Sequence, residues 1–333
     1  MFMLEKYKTK FAKLRIDRVP ERWCEATNGG APHKALLLLS VLDLVAQGEI
    51  NAPLVVLHAD LIDLFDRYWR TVMGSERKGN IALPFYHLKS DGFWHLVAVS
   101  GQEQALRVPI RSLKSMEDLV VGARLDDALF ALLLDPHTRD ELRRVLVETY
   151  FAPQVRAAVV EVGVITAQSF EYSRSLIKRA REPFTLKETP DLAEQYATES
   201  RSTGFRRTVV AAYQHTCAVC KIRIVTPEGR TAVSAAHIVP WSVSHNDDPR
   251  NGMALCGLHH WAFDEGLIGI NPATYQIIIS PVVDPDEQAT EPLRRLHDAA
   301  LHLPEAPILH PAPSALQWHQ REVFRNIALR RIV

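Results

Sequence analysis

The longest apolar run in the chain, Ala35 to Val45, is broken only by Ser40 and Asp43. Pro32 stands just before it and Gly48 just after, the usual punctuation of a helix. Apolar residues fall on every face, so this helix is expected to lie at the buried centre of a first domain. It is far shorter than the roughly 20 residues a membrane span needs, and no other run is longer. Lys6 to Arg18 mixes basic and apolar residues at helical spacing. In Leu61 to Trp69, Leu61, Leu64, Phe65 and Tyr68 share one face of a second helix. The period changes between Asn80 and Val99, where alternation around Ser90-Asp91-Gly92 predicts a β-hairpin or two short strands. Helical patterning returns over Asp126–Leu134 and Thr138–Tyr150, separated by Asp135-Pro136.

From Val155 to Arg181 the pattern stays helix-compatible and ends in the basic cluster Lys178, Arg179 and Arg181. Glu182-Pro183 and Thr189-Pro190 then break it, and the small, polar stretch from Ala197 to Gly204 reads as a linker. Arg206 to Tyr213 is a short amphipathic helix and Val233 to Trp241 is strand-like. His245 to Arg250 is a polar loop, after which Asn251-Gly252 opens a helical segment. A strand or strand pair follows Ile270, then a Pro-rich acidic stretch from Pro281 to Pro292, an extended run from Leu301 to Pro313 and a final amphipathic helix from Ala315 to Val333.

At 333 residues the chain is too long for one ordinary core. The patterning suggests an α+β, multidomain protein: a mixed helix and strand domain over residues 1–155, a helical connector and linker over 156–204, and a second domain over 205–333 that ends in a wrapping tail. With 39 basic and 39 acidic side chains the net charge is zero, so any nucleic-acid footprint must be local. The N-terminal residues lack the apolar core of a secretory signal. Three of the four cysteines sit in the C-terminal half at metal spacing, which fits a reducing cytoplasm better than a disulfide framework. Cys24, with no partner at that spacing, reads as an inert buried thiol.

The chemistry is concentrated between Cys217 and Asp264. Cys217 and Cys220 are separated by two residues, and Cys256 and His259 repeat that spacing. Two such pairs make a closed Cys3His set, the structural kind of zinc site with no open position. Scattered core cysteines do not produce the same spacing twice, and in a small domain metal binding substitutes for missing core. Threaded between the pairs are His237, Asn251 and His260. His215, His245, Asp247 and Asp248 read as loop, turn or capping residues, and Trp241 and Trp261 as packing.

Two resemblances bear on function. P-H-K-A-L-L-L-L at 32–39, followed by L-P-F-Y-H-L-K-S-D-G-F-W at 83–94, resembles the N-terminal domain of McrA-like HNH restriction endonucleases of type IV. There a sulfur-binding domain recognises phosphorothioate-modified DNA. The resemblance implies a modified-DNA reader in which His33, Lys34, Leu83, Pro84, Phe85 and His87 sit near DNA. It departs from the family at two places, with Leu83 where Tyr is expected and Lys34 where Arg is expected. Lys is a point charge without the planar fork of Arg.

The segments A-A-H-I-V-P-W and N-G-M-A-L-C-G-L-H-H-W-A-F-D resemble the ββα-metal, or HNH, nucleases. That implies His237 as general base, Asn251 as the residue orienting its loop, and His260 as ligand to a catalytic Mg²⁺, Mn²⁺ or other divalent cation. Many relatives carry a ligand just before the catalytic His, where this chain has Ala236. Asp264, one turn beyond His260, is then the candidate second ligand. The resemblances together imply a cytoplasmic endonuclease of host defence acting on double-stranded, modified DNA, as a homodimer if both strands are cut, with no membrane partner. Two other readings stay open: an HNH nuclease acting on unmodified DNA or in another phage-defence role, and a non-catalytic DNA-binding protein scaffolded by zinc.

Overall fold

The computed structural model describes residues 2–19, 21–108, 110, 112–187, 196–226, 230–283 and 288–326. The chain divides into two compact units, Met1–Ala167 with Thr226–Arg230, and Gln168–Val225 with Thr231–Val333.

The first unit is organised around α2 (His33–Ala46), in which every side chain from Lys34 to Val45 is buried. A helix apolar all round needs partners on all sides. They come from α3 (Ala59–Met73), α4 (Ala82–His87), α6 (Asp127–Leu134) and α7 (Pro136–Tyr150). Helix α1 (Phe2–Ala12) packs against α6 and α7. A short sheet of β1 (Leu54–Val55), β2 (Trp94–Ala98) and β3 (Val120–Leu125) has β3 in the middle, antiparallel to both neighbours, with α5 (Leu113–Leu119) leading into β3. Pro136 takes the first position of α7, and Asp135 caps it by accepting a hydrogen bond from Thr138 N. The expected break is therefore a helix start, where a missing N–H costs nothing.

The predicted hairpin between Asn80 and Val99 is half wrong. Residues 94–98 form a strand, but 82–87 form helix α4. Ile81, Phe85 and Leu88 recur at helical spacing and are all buried, so burial toward α2 overrides the apparent alternation. Pro84 lies in the first helical turn, where its missing N–H leaves no internal bond unmade.

Within the α2 core lies one charge cluster. Asp43 accepts a hydrogen bond from Tyr68 Oη at 2.6 Å and pairs with Arg143 Nη2 at 2.6 Å. Removing one member of a buried pair strands the others. Asp43→Ala is expected to lower unfolding free energy by about 3 kcal/mol. Urea melts of the two proteins check it, and an unchanged midpoint would refute it.

The 27-residue helix α8 (Pro153–Arg179) contributes to both units. In the second unit its last part packs against α9 (Thr198–Ala212), which contains the stretch expected to be a linker. Ser200, Arg201 and Gly204 are buried there. A Cβ on Gly204 would come within 2.7 Å of Ser169 O, and Ser173 Oγ lies 2.8 Å from Thr208 Oγ1. The small residues thus serve close helix packing rather than flexibility. The predicted Thr189-Pro190 break lies outside the described residues.

Next come β4 (Val233–His237), α10 (Trp241–Ser244), β5 (Gly252–Cys256) and α11 (Gly257–Asp264). β4 and β5 are antiparallel, so residues 252–256, expected as the start of a helix, instead complete a strand pair. Their side chains are buried, against strand and helix neighbours alike, which erases the alternation that marks a half-exposed strand. The pair β6 (Ile268–Ile270) and β7 (Ile277–Ile279), then α12 (Glu291–Arg294), an extended run and α13 (Pro313–Glu322) finish the unit. Among the described residues no helix is long and apolar enough to cross a membrane.

Candidate active site

The ββα element formed by β4, β5 and α11 carries both metal-type constellations. Strand register places Val233 opposite Cys256 at one end and His237 opposite Gly252 at the other. Cys256 occupies the N-cap of α11, and His259 and His260 follow in its first turns.

Cys217, Cys220, Cys256 and His259 converge, with ligand atoms all within 4.8 Å of one another. His259 Nδ1 lies 3.5 Å from Cys217 Sγ and 3.2 Å from Cys256 Sγ. Tetrahedral zinc with ordinary Zn–S and Zn–N bonds sets such pairs roughly 3.5 Å apart, so the donors fit that ion. Burial alone would raise the Cys217 thiol. Its hydrogen bond with His259 and the backbone N–H groups around it outweigh burial and bring it down to about 6. Burial, with Cys217 alongside, pushes Cys220 up to about 12. Crowded thiols that resist ionising together are the donor set a divalent soft-acid ion relieves. Cys24, expected to be buried, is exposed.

His237 sits at the end of β4 with its ring stacked on Phe205 of α9, centroids 4.0 Å apart and planes 7° from parallel. That stacking needs Gly252 on the partner strand, since a Cβ there would come within 2.9 Å of Phe205. Asn251 is fully buried. Its Oδ1 accepts from Val239 N at 2.9 Å, and its Nδ2 donates to Val239 O at 3.0 Å and Asn246 O at 2.9 Å. One amide thus ties the segment leaving His237 to the loop before Asn251.

His260 Nδ1 lies 2.8 Å from Ser234 Oγ, which turns its Nε2 toward Asp264, 3.5 Å away. Ala236 faces the core on the opposite side of β4 from His237. Its methyl group offers no ligand atom. His237, His260, Asp264 and Trp241 border one open pocket of about 300 Å³, closed on another side by His319 and Val323. His319 is buried and stacked on Phe263 at 3.7 Å. It donates from Nε2 to Phe263 O at 3.0 Å, and burial pulls it down to about 4, so it stays neutral.

The loop from Asn246 to Asn251 is polar yet buried. Asp248 caps it, accepting from Arg250 N and pairing with the Arg250 side chain. Asp247 does more than turn the chain: its Oδ1 lies 2.7 Å from His237 Nε2. Phe205, Ser234 and His319 went unmarked in the sequence, and Asp247 was read only as a turn or capping residue. Each is distant in sequence from the residue it supports, and only the acidic loop carried any signal.

In the first unit, His33 opens α2 half-buried between Trp23 and Trp69, with ring centroids 5.2 and 4.6 Å away. Burial brings it down to about 4. Lys34, expected to sit near DNA, is buried and points into the unit, 2.6 Å from Asp91 Oδ2 and 3.2 Å from Ser90 Oγ. One residue along a helix turns a side chain by about 100°, so His33 and Lys34 cannot share a face. Leu83 is half-buried, Pro84 and Phe85 are buried, and His87 is exposed. Phe85 is a core residue edge-on to Trp94 at 5.0 Å, not a surface contact. The tail cations Arg321 and Arg325 pair with Glu322 and Glu265; Arg330 and Arg331 lie outside the described residues.

Comparison with known proteins bears on both units. Residues 217–271 match the family model described as HNH endonuclease. Residues 9–166 match that of the ScoMcrA-like DNA sulfur-binding domain. Among curated proteins none matches. Among solved structures, a modification-dependent TagI restriction endonuclease matches at 20% identity and a TM-score of 0.29, covering 41% of this chain. The match covers 44% of that chain, so the present chain spans less than half of it. The chain thus joins a region similar to the ScoMcrA-like DNA sulfur-binding domain to one similar to the HNH endonucleases.

Proposed function

We propose that the protein is a cytoplasmic, metal-dependent restriction endonuclease of type IV, reading modified DNA with its first unit and hydrolysing a phosphodiester with its second. The observation that carries this reading is that His237 and His260 border one pocket while Asn251 pins the loop that bears His237. His237 Nδ1 takes the proton of the attacking water, because Nε2 is committed to Asp247. His260 and Asp264 would hold Mg²⁺, Mn²⁺ or another divalent cation, which when bound neutralises charge on the phosphate and the leaving oxygen. Cys217, Cys220, Cys256 and His259 would hold a structural zinc. A single site cuts one strand, so cleavage of both requires a homodimer or two encounters.

Phosphorothioate is the mark favoured by the domain family. Lys34 held by Asp91, and Leu83 where a Tyr is expected, favour a second reading in which another mark or unmodified DNA is read. Cleavage of phosphorothioated, methylated and plain plasmids of one sequence separates these. Preferential cutting of the phosphorothioated plasmid is expected, and equal cutting of all three would remove modification reading.

A further inference from the structure

The loop that Asn251 braces holds a carboxylate against the Nε2 edge of His237. Asp247 is 2% exposed, and three side chains from separate elements converge on it. His237 Nε2 lies 2.7 Å from Oδ1, Tyr172 Oη donates to Oδ2 at 2.9 Å, and Arg201 Nε lies 3.7 Å from Oδ2. Arg201 is itself fixed, its guanidinium 3.3 Å over the Trp241 ring. Local backbone geometry aims Asp247: His245 takes a left-handed conformation after α10, and Asn246 Oδ1 accepts from Asp248 N at 2.8 Å, closing an Asx turn around the residue between.

We propose that Asp247 is the positioning residue of the nuclease, selecting the Nε2–H tautomer of His237 and stabilising the imidazolium formed when Nδ1 takes a proton from water. This rests on the reading of His237 as base. Three constraints then define that base. Phe205 sets the plane of the ring by stacking, Asp247 sets which edge meets the water, and Asn251 sets the distance between them by bonding Val239 on one side and Asn246 on the other. Stacking alone leaves the ring free to rotate by half a turn about its Cβ–Cγ bond, which would put Cδ2 in place of Nδ1, and leaves the tautomer unset. A charged acceptor on one edge removes that freedom, and a charge-assisted bond is stronger than one to a neutral carbonyl. The proton balance is closed: water gives one proton to Nδ1, hydroxide bonds to phosphorus as the bond to the leaving oxygen breaks, that oxygen takes a proton from solvent water, and Nδ1 returns its proton to the solvent hydroxide so formed, while Nε2–H stays bonded to Asp247. Asp247 itself never takes the proton.

The test uses the full-length protein, Asp247→Asn, Tyr172→Phe, His237→Ala and the double variant of residues 237 and 247. Single-turnover cleavage of the phosphorothioated plasmid with Mn²⁺ is measured, together with ¹⁵N-histidine NMR above the histidine titration range. The His237 signal is assigned by its loss in His237→Ala. The expected results are an Nε2–H tautomer in the wild type and a mixed one in Asp247→Asn. Cleavage should fall about 10²-fold in Asp247→Asn and severalfold in Tyr172→Phe. The double variant should be no slower than His237→Ala alone, as expected for groups acting as a unit. A wild-type Nδ1–H tautomer, or a tautomer and rate unchanged by Asp247→Asn, overturns the proposal. If Asp247→Asn does not fold, an unchanged tautomer and rate in Tyr172→Phe does so. If the wild type spares the plasmid, the tautomer alone decides. Wild-type cutting by His237→Ala removes the base assignment instead, whatever Asp247 does.

Discussion

Replacing His237 by alanine is expected to lower the rate of DNA cleavage by about 10³-fold, the scale of a lost general base. Zinc content, melting temperature and DNA affinity should stay at wild-type values. The reason lies in where the ring sits. His237 ends β4 at the pocket rim, its side chain is about one quarter exposed, and its partners are Phe205 on one face and Asp247 on one edge. None of these is a zinc-site residue, and the strand pairing and the Asn251 clamp use main-chain groups that alanine retains. Truncation therefore removes a proton acceptor without unseating the fold. Cleavage time courses with Mn²⁺, beside gel-shift titrations in chelator, separate rate from binding. Equal cutting by both proteins would sink the assignment, and joint loss of binding and cutting would point to a structural role.

The second large effect concerns the adjacent pair His259 and His260, which should fail in different ways. His259 is buried with Nδ1 among the sulfurs, so His259→Ala is expected to release zinc and to destabilise the second unit by on the order of 5 kcal/mol. That is less than a zinc-finger peptide loses, because this unit also has an apolar core built on Phe205, Val209, Met253, Leu255 and Phe263. His260→Ala is expected to keep zinc and the melting profile while losing cleavage, since the polar partners of His260 among the described residues are Ser234 and Asp264, neither of them in the Cys3His set. Metal analysis and thermal melts of both variants check this. Zinc loss from His260→Ala, or full zinc retention by His259→Ala, would reverse the assignment. Strong chelation of the wild type should reproduce the His259→Ala phenotype.

Much of this site was legible because its signals are local. The paired spacing of Cys217–Cys220 and Cys256–His259 holds within a turn or knuckle, so it survives as a pattern in the chain. The central helix α2 was equally plain, since an apolar run between Pro32 and Gly48 has few alternatives. Readings failed where burial competes with period. Residues 82–87 alternate like a strand but bury Phe85 in a helix, and the strand Gly252–Cys256 lost its alternation because its first four residues are all buried. The stretch 198–204 looked like a linker because close helix packing and flexible chain both select small residues. Composition cannot tell the two apart; only a neighbouring helix can.

The sequence by itself determined the Cys3His set, the His237, Asn251 and His260 series, and the existence of two domains, because ligand spacing and hydrophobic length are properties of short segments. Tertiary structure alone decided what each histidine contacts. Asp247 and Phe205 reach His237 from other elements, and Ser234 reaches His260 across the ββα element. It also decided that Lys34 turns inward to Asp91 while its neighbour His33 stays at the edge. Orientation of an imidazole or an ammonium depends on partners 10 to 57 residues away, and their approach is set by packing, which no local pattern records.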